Sequence, residues 1–137
     1  MNQPQLRDFR HLIGVPFVSG GRDPATGLDC WGLFMAVQKI FGRDVPEVGL
    51  VCSQVLEINR ATRKQITQFW QKIDAPEPGC GVTMAINSAH PDIIQHYGVM
   101  LDINTLLHCL QGVGVVLDRL DLMQDALRVC GFYRWRG

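Results

Sequence analysis

The sequence predicts an α+β fold in which helices from the first half of the chain pack on an antiparallel sheet from the second half. Up to residue 73, apolar residues recur at the three- and four-residue spacing of amphipathic helices. From residue 80 onward they alternate with a period of two, and turn-forming residues separate the short β-rich segments. Runs of helices followed by runs of strands are typical of α+β domains.

Length and composition favour a single domain over residues 1–137. A chain of 137 residues, 47% hydrophobic and 19% charged, can bury a sizeable core. Pro76 and Pro78 mark the junction between the helical half and the strand-rich half. Pieces of roughly 75 and 60 residues would each be marginally stable alone, so we expect the two halves to share one core.

Four helices are predicted in the first half, over residues 4–13, 30–41, 53–60 and 62–73. The second is the strongest, because its apolar residues line one face, Asp29 stands at its N-cap position and Gly42 stands at its end. A loop rich in turn-forming residues, 17–29, leads into it.

Strands and one short helix are predicted in the second half. The strands cover residues 82–86, 96–101, 106–110, 113–117 and 129–135, and the helix covers 120–127. The second and third of these strands are close enough in sequence to form a hairpin.

Charge and hydropathy exclude several functions. Lys and Arg total 13, as do Asp and Glu, so no basic field draws the chain to nucleic acid or to an anionic membrane. The longest apolar run, residues 30–37, falls far short of the ~20 residues of a membrane span, so no membrane insertion is expected. The first residues lack the pattern of a signal peptide, so we expect synthesis in the cytoplasm.

Cys30 stands out among the five cysteines, an odd number that argues against a disulfide framework. It opens the strongest helix, where unpaired backbone N–H groups and the positive end of the helix dipole would stabilise a thiolate. The same N–H groups could bind the oxyanion of a tetrahedral intermediate. The neighbouring carboxylate of Asp29 disfavours a second anion, unless it caps the helix. From position alone, a buried cysteine on an apolar helix face is an alternative of equal weight.

A cysteine nucleophile needs a base, usually histidine, and often a third group that orients the base. His11 and His90 fall in segments where solvent-exposed histidines are expected. His96 and His108 instead lie on the two strands of the predicted hairpin, and they are the candidate partners of Cys30.

The length of the hairpin loop decides whether the two histidines share a face of the sheet. A three-residue loop, 102–104, places both on one face, with Gly98 opposite His108 and Asn104 in a left-handed conformation. Gly98 would then leave room beside His96 for another element, such as the end of the helix over 30–41. A four-residue loop would separate the histidines onto opposite faces.

A zinc site built from cysteines and histidines is the rival interpretation. His108 and Cys109 are neighbours on one strand and point to opposite faces, so both are not expected to bind one ion. No close-spaced ligand pair is present to begin a tetrahedral site with Cys30, His96 or Cys130. The sequence therefore indicates neither a metal nor a cofactor.

Several segments together resemble the NlpC-type cell-wall cysteine peptidases. Residues 16–21 and 27–33 are similar to the nucleophile motif of that family. Residues 96–101 and 106–108 are similar to its base strand and third-residue strand, and 130–134 to its last strand. The resemblance extends from about residue 5 to the C-terminus and implies a papain-like α+β fold.

The resemblance also implies a reaction and a substrate. Cys30 would be the nucleophile, His96 the base and His108 the residue that orients the base. The substrates of this family are amide bonds in peptidoglycan stem peptides, which makes a peptide of this kind the expected partner. A binding component without activity and a small acyltransferase or deamidase are the alternatives that the same residues allow.

Two residues depart from the family pattern, and one motif narrows the resemblance. Phe17 stands where many members have tyrosine, and Trp31 stands where many have a serine linked to binding the amino end of the substrate. Phe17, Asp29 and Trp31 are the candidate substrate or oxyanion contacts. The motif of residues 29–33, Asp-Cys-Trp-Gly-Leu, resembles the phage tail-assembly branch. This implies phage tail proteins as partners and incorporation into a phage tail.

Overall fold

The computed structural model describes residues 3–49, 54–85, 92–123 and 127–137. It contains two α-helices, α1 (Cys30–Ile40) and α2 (Val55–Phe69). The strands are β1 (Arg22–Asp23), β2 (Gly27–Leu28), β3 (Trp70–Ile73), β4 (Gly81–Ala85), β5 (His96–Met100), β6 (Thr105–Leu110), β7 (Gly114–Arg119) and β8 (Arg128–Trp135). None of the helices in these ranges is both long and apolar enough to cross a membrane.

The main sheet has six strands in the order β3-β8-β4-β5-β6-β7, and every neighbouring pair is antiparallel. The strands β1 and β2 form a separate two-stranded ribbon just before α1. Helices precede the main sheet along the chain, which confirms the predicted α+β fold class.

Both faces of the central strands are buried, but they carry different side chains. One face packs against α1, where Phe34 contacts Tyr97 and the buried residues Val37, Val99 and Leu107 belong to the same core cluster. The opposite face carries a second apolar cluster: Cys80, Val82, Met84, Met100 and Leu106. Alternation along β5 therefore sends odd-numbered residues toward α1 and even-numbered residues away from it.

The predicted helix over residues 4–13 is two short 3₁₀ turns instead, Leu6–Asp8 and Arg10–Leu12. Side chains three residues apart align in a 3₁₀ turn, so Phe9 and Leu12 both enter the core. The chain then runs along the edge of β7, where the Gly14 N–H donates to the Val115 carbonyl at 2.9 Å. That pairing joins the turn after Leu12 to the edge of the sheet.

The two helices predicted over 53–60 and 62–73 are one continuous helix followed by a strand. Nothing between residues 60 and 62 breaks helical geometry, and α2 runs through to Phe69. From Trp70 onward the backbone pairs with β8, and Trp70 lies opposite Trp135. Sheet pairing therefore overrides the helical spacing of the last four residues.

The remaining differences between the predicted and the observed elements involve only a few residues each. The predicted helix over 120–127 is a 3₁₀ turn at Leu120–Leu122, and residues 124–126 lie outside the described ranges. Ile86, His90 and Cys52 also lie outside them. The strand predicted over 113–117 is β7, which extends to Arg119.

Candidate active site

Asp29 sets the position where α1 begins. Its Oδ1 accepts the Gly32 N–H at 2.8 Å, which confirms the predicted N-cap, and its Oδ2 accepts the Gly20 N–H at 3.0 Å. Arg22 Nη1 donates to Oδ1 at 2.7 Å. The residue is only 1% exposed. Asp29 thus holds the helix and its preceding loop together, and its contact with a substrate stays a prediction.

Arg22 links this carboxylate to a second one. Its Nε donates to Glu47 Oε1 at 2.5 Å, and Nη1 reaches Asp29. Burial works against the charge of the guanidinium, but the hydrogen bonds to Glu47 and Asp29 outweigh burial and raise the pKa of Arg22. The buried negative charge of Asp29 therefore has a permanent counter-ion.

Gly32 is required by the approach of the loop to the helix. A Cβ built at Gly32 would lie 2.1 Å from the carbonyl oxygen of Gly21. The Gly21 carbonyl also accepts the Asp29 N–H at 3.3 Å, so this part of the loop is fixed. The glycine two positions after Cys30 is therefore there for close packing of the backbone.

Cys30 is the first residue of α1, as predicted, and it is 5% exposed. The next residue, Trp31, is 4% exposed. Its ring stacks on Phe34 at a centroid distance of 4.9 Å and meets Tyr97 edge-on at 4.9 Å. Trp31 is thus part of the aromatic core, while Phe17 is half-buried and its backbone bridges to Leu28. Substrate contacts of Trp31 and Phe17 stay predictions.

The hairpin of β5 and β6 has the predicted register. Gly98 pairs with His108, and the Leu101 N–H donates to the Thr105 carbonyl at 2.8 Å, which leaves a three-residue loop over 102–104. His96 and His108 therefore share one face, as predicted. The two imidazoles meet, with 2.8 Å between His96 Nε2 and His108 Nδ1.

Two details of the predicted hairpin are wrong. Among the described residues no non-glycine has a positive φ, so Asn104 is not left-handed. The Asp102 carboxylate instead shapes the turn by accepting the Asn104 N–H at 2.9 Å and the Thr105 N–H at 2.7 Å. The room at Gly98 is not taken by α1 either, because a Cβ there would lie 2.5 Å from Leu106 Cδ1.

Asp118 extends the imidazole pair to the surface, and the sequence did not predict this role for it. Its Oδ2 lies 2.7 Å from His108 Nε2. Register explains the contact, because His108 pairs with Val116 and Leu106 pairs with Asp118, which makes Asp118 a same-face diagonal neighbour of His108. The predicted strand ended at residue 117, one position short. A strand continued to residue 119 would have revealed a carboxylate on the histidine face.

Both imidazoles are enclosed, His96 with 3% and His108 with 0% exposure. Burial lowers the pKa of His96 to about 3, and the charge of His108 adds to the effect. Burial also lowers the pKa of His108, although the hydrogen bond to Asp118 raises it in part. Both rings are therefore neutral at pH 7, which is the form a general base requires.

Contacts of their chain neighbours bring Cys30 and the imidazoles to the same end of the sheet. Trp31 meets Tyr97, the residue after His96. Cys109 Sγ, next to His108, donates to the Leu28 carbonyl at 3.2 Å. The helix α1 packs on one face of β5, and the imidazoles lie on the other face. A contact between Cys30 and His96 would therefore pass the end of the strand, where His96 is the first residue. The predicted contact between Cys30 Sγ and His96 stays a prediction.

Among the described residues no metal site is formed, and a cavity beside α1 lies apart from Cys30 and the imidazoles. In the described ranges, no group of three or more His, Cys, Asp or Glu side chains is arranged to hold a metal ion. A cavity of about 550 Å³ runs along the outer side of α1 from Arg22 and Gly32 to Arg43. It is lined by neither Cys30 nor the imidazoles, so we do not assign it to the substrate.

Two solved structures have a similar fold. One is a protein described as similar to lipoprotein, NLP/P60 family, from Staphylococcus aureus subsp. aureus Mu50, with a TM-score of 0.61 and 21% identity over 97% of this chain. The chain spans 43% of that protein's length. The other is the NlpC/p60 domain of the peptidoglycan hydrolase SagA, with a TM-score of 0.58, 22% identity, and coverage of 93% of this chain and 92% of that domain.

No protein-family model and no curated protein matches the chain. At these identities the structural similarity establishes the fold of NlpC/P60 domains, while the reaction has to be argued from the site itself.

Proposed function

We propose that the protein is a cysteine amidase or endopeptidase that hydrolyses amide bonds in peptidoglycan stem peptides. The observation that carries the proposal is the buried contact between His96 Nε2 and His108 Nδ1, 2.8 Å long, at the end of the sheet where α1 begins with Cys30. A base with one ring nitrogen held by a third residue is what activation of a cysteine requires. The substrate class is supported by the fold shared with a domain of a peptidoglycan hydrolase.

In the proposed reaction, His96 takes the proton from Cys30 Sγ as the sulfur attacks the carbonyl carbon of the amide. Backbone N–H groups in the first turn of α1 can stabilise the resulting oxyanion. The imidazolium then gives its proton to the departing amine as the C–N bond breaks. This leaves the acyl group bound to Cys30 Sγ as a thioester. A water molecule, deprotonated by His96, hydrolyses the thioester, which releases the acid and restores the thiol.

Hydrolysis of purified muropeptides, followed by mass spectrometry, tests the proposal. We expect the wild type to cleave an amide bond of the stem peptide and Cys30→Ala to be inactive. Cys80→Ala is the matched control, because Cys80 is equally buried and lies in the apolar cluster on the opposite face from α1. Cleavage by Cys30→Ala at the wild-type rate would refute the proposed nucleophile, and the product masses identify the bond.

A binding component with the same fold is the second candidate, and the enclosure of the site favours it. Cys30 is 5% and His96 is 3% exposed, so little of either residue is open to a substrate. Trp31, at the position linked to substrate binding in the resembling family, is packed in the core. Folded wild-type protein that sediments with peptidoglycan sacculi but releases no fragment would support this second candidate.

We further propose that the protein is incorporated into a phage or prophage tail. The support for this setting is the motif of residues 29–33, which resembles tail-assembly members of the family. Expression of the chain together with phage tail proteins, followed by purification of tails, tests whether it is incorporated. Its absence from purified tails would refute the setting and leave the proposed reaction unaffected.

A further inference from the structure

We propose that Asp118 is a positioning residue that determines which ring nitrogen of His96 is available as the base. The inference rests on the proposed function, because it concerns the same imidazole. Its basis is the pair of contacts made by His108, with Nδ1 2.8 Å from His96 Nε2 and Nε2 2.7 Å from Asp118 Oδ2.

The three side chains form a line from the interior to the surface. His96 and His108 are buried, whereas the side chain of Asp118 is 42% exposed on β7, the edge strand of the main sheet. Asp118 is thus the member of the line that meets solvent. Exposed aspartate carboxylates are ionised near neutral pH.

The hydrogen-bond donors and acceptors of these three side chains allow one arrangement of protons. An ionised carboxylate only accepts, so the hydrogen in the contact with Asp118 is on His108 Nε2. A neutral imidazole carries a single N–H, so His108 Nδ1 has a lone pair and accepts from His96 Nε2. His96 Nδ1 then carries a lone pair, and this is the nitrogen that can remove the proton of Cys30.

Without Asp118, the contact between the rings has two equivalent solutions. His108 Nδ1 could instead donate to His96 Nε2, and the hydrogen on His96 would then lie on Nδ1. That form of His96 cannot accept the thiol proton. Asp118 therefore excludes the inactive arrangement, and its charge also favours the imidazolium that forms when the proton is transferred.

Few other charges act on the two rings. Of the described residues, the groups whose charge affects the pKa of either ring are His108 for His96 and Asp118 for His108. The neighbours on the same face, Met84 on β4 and Leu106 on β6, are apolar. Arg119, the next residue on β7, pairs with Asp121 at 2.8 Å.

Nitrogen-15 NMR of histidine rings tests the inference without requiring activity. In the folded wild type at pH 7, we expect His96 and His108 to carry their hydrogens on Nε2. In Asp118→Ala, the fraction of His96 with hydrogen on Nδ1 should rise to a detectable level. The control is Asp121→Ala, which removes an exposed carboxylate three positions along and should leave both rings unchanged. Unchanged rings in folded Asp118→Ala would overturn the inference.

Muropeptide hydrolysis as a function of pH supplies the second readout. We expect Asp118→Ala to lose about 10- to 100-fold in kcat with little change in KM, and Asp118→Glu to recover part of the loss. The acid limb of kcat/KM should move to lower pH, because removing the carboxylate makes the rings harder to protonate. An equal loss at every pH would indicate a merely structural role. Inactive wild type with the expected NMR shift would refute the proposed function and retain the role of Asp118 in setting the ring protons.

Discussion

Two carboxylates hold the two sides of the candidate site, and they do so in opposite ways. In the helix-start region (Gly20, Arg22, Asp29 and Gly32), Asp29 is 1% exposed and accepts from three groups. In the imidazole region (His96, His108 and Asp118), Asp118 is 42% exposed and contacts His108. The Asp29 carboxylate is enclosed and accepts several hydrogen bonds, whereas the Asp118 carboxylate lies at the surface.

The number of partners and the burial, rather than the residue type, distinguish a carboxylate that stabilises the fold from the one proposed to act in the reaction. Removal of Asp29 would leave the buried Gly32 N–H without its acceptor, so the cost appears in folding. Removal of Asp118 exposes His108 Nε2 to solvent that can replace the lost acceptor, so the cost appears in the reaction.

The largest expected effect is the loss of activity in His96→Ala. Because His96 must both take the thiol proton and return it to the leaving amine, we expect a fall in kcat of roughly 10³-fold or more, as complete as that of Cys30→Ala. The double variant should be little worse than either single one, since the residues act as a unit. Muropeptide hydrolysis measures all three.

Substitution of His108, the proposed orienting residue, should lower the activity less than substitution of His96. His108→Asn keeps a side chain that can hydrogen-bond the ring of His96, and we expect it to retain activity reduced by about 10- to 100-fold. Circular dichroism of each variant checks that it is folded. Should His108→Asn abolish turnover while His96→Ala keeps most of it, the roles of base and orienting residue are reversed.

The next largest effect is on stability, in Asp29→Ala. We expect it to lower the free energy of unfolding by about 3 kcal/mol, because it removes a buried cap and leaves Arg22 without one of its two carboxylate partners. Asp118→Ala should change stability by less than about 0.5 kcal/mol, as for most exposed substitutions. Urea unfolding of the two variants measures both. Equal losses would contradict the proposed separation of the two carboxylates.

The features that the sequence predicted well depend on residues close together in the chain. Asp29 and Gly42 bracket α1 by local capping chemistry, and the face shared by His96 and His108 follows from the strand period and a three-residue loop. The boundaries of these elements are therefore visible before any tertiary contact is known.

The features that it did not predict depend on distant pairing. Trp70–Ile73 has the spacing of a helix, and its strand conformation comes from β8, more than fifty residues further along the chain. Asp118 belongs to the site because β7 continues past residue 117 alongside β6. The conformation of Asn104 was missed for a local reason, since Asp102 supplies a side-chain acceptor that shapes the turn without a left-handed residue.

A smaller effect on stability is expected at two glycines: Gly32 in the helix-start region, and Gly98, which pairs with His108 of the imidazole region. Gly32→Ala should cost about 2 kcal/mol or more, because its Cβ would lie 2.1 Å from the backbone oxygen of Gly21, which cannot move without breaking the loop. Gly98→Ala should cost about 1 kcal/mol, since its closest contact, at 2.5 Å, is the end of the flexible Leu106 side chain. Urea unfolding of both variants decides the order, and a larger loss in Gly98→Ala would show that the loop before α1 is more adaptable than its contacts indicate.

The last effect is the response of stability to mild acid, and it belongs to the imidazole region. Burial lowers the pKa of His96 from 6.5 to about 3, so the unfolded chain takes up a proton as the pH falls below 6.5 while the folded chain does not. The free energy of unfolding should therefore fall by about 1.4 kcal/mol for each pH unit below 6.5, and His108 acts in the same direction. Urea unfolding at pH 7, 6 and 5 measures this slope in the wild type, in His96→Gln and in the control His11→Gln, which alters an exposed histidine. We expect His96→Gln to flatten the slope and His11→Gln to keep it. Identical slopes in all three proteins would mean that His96 is accessible to protons in the folded chain, and the enclosed, neutral base of the proposed mechanism would then be wrong.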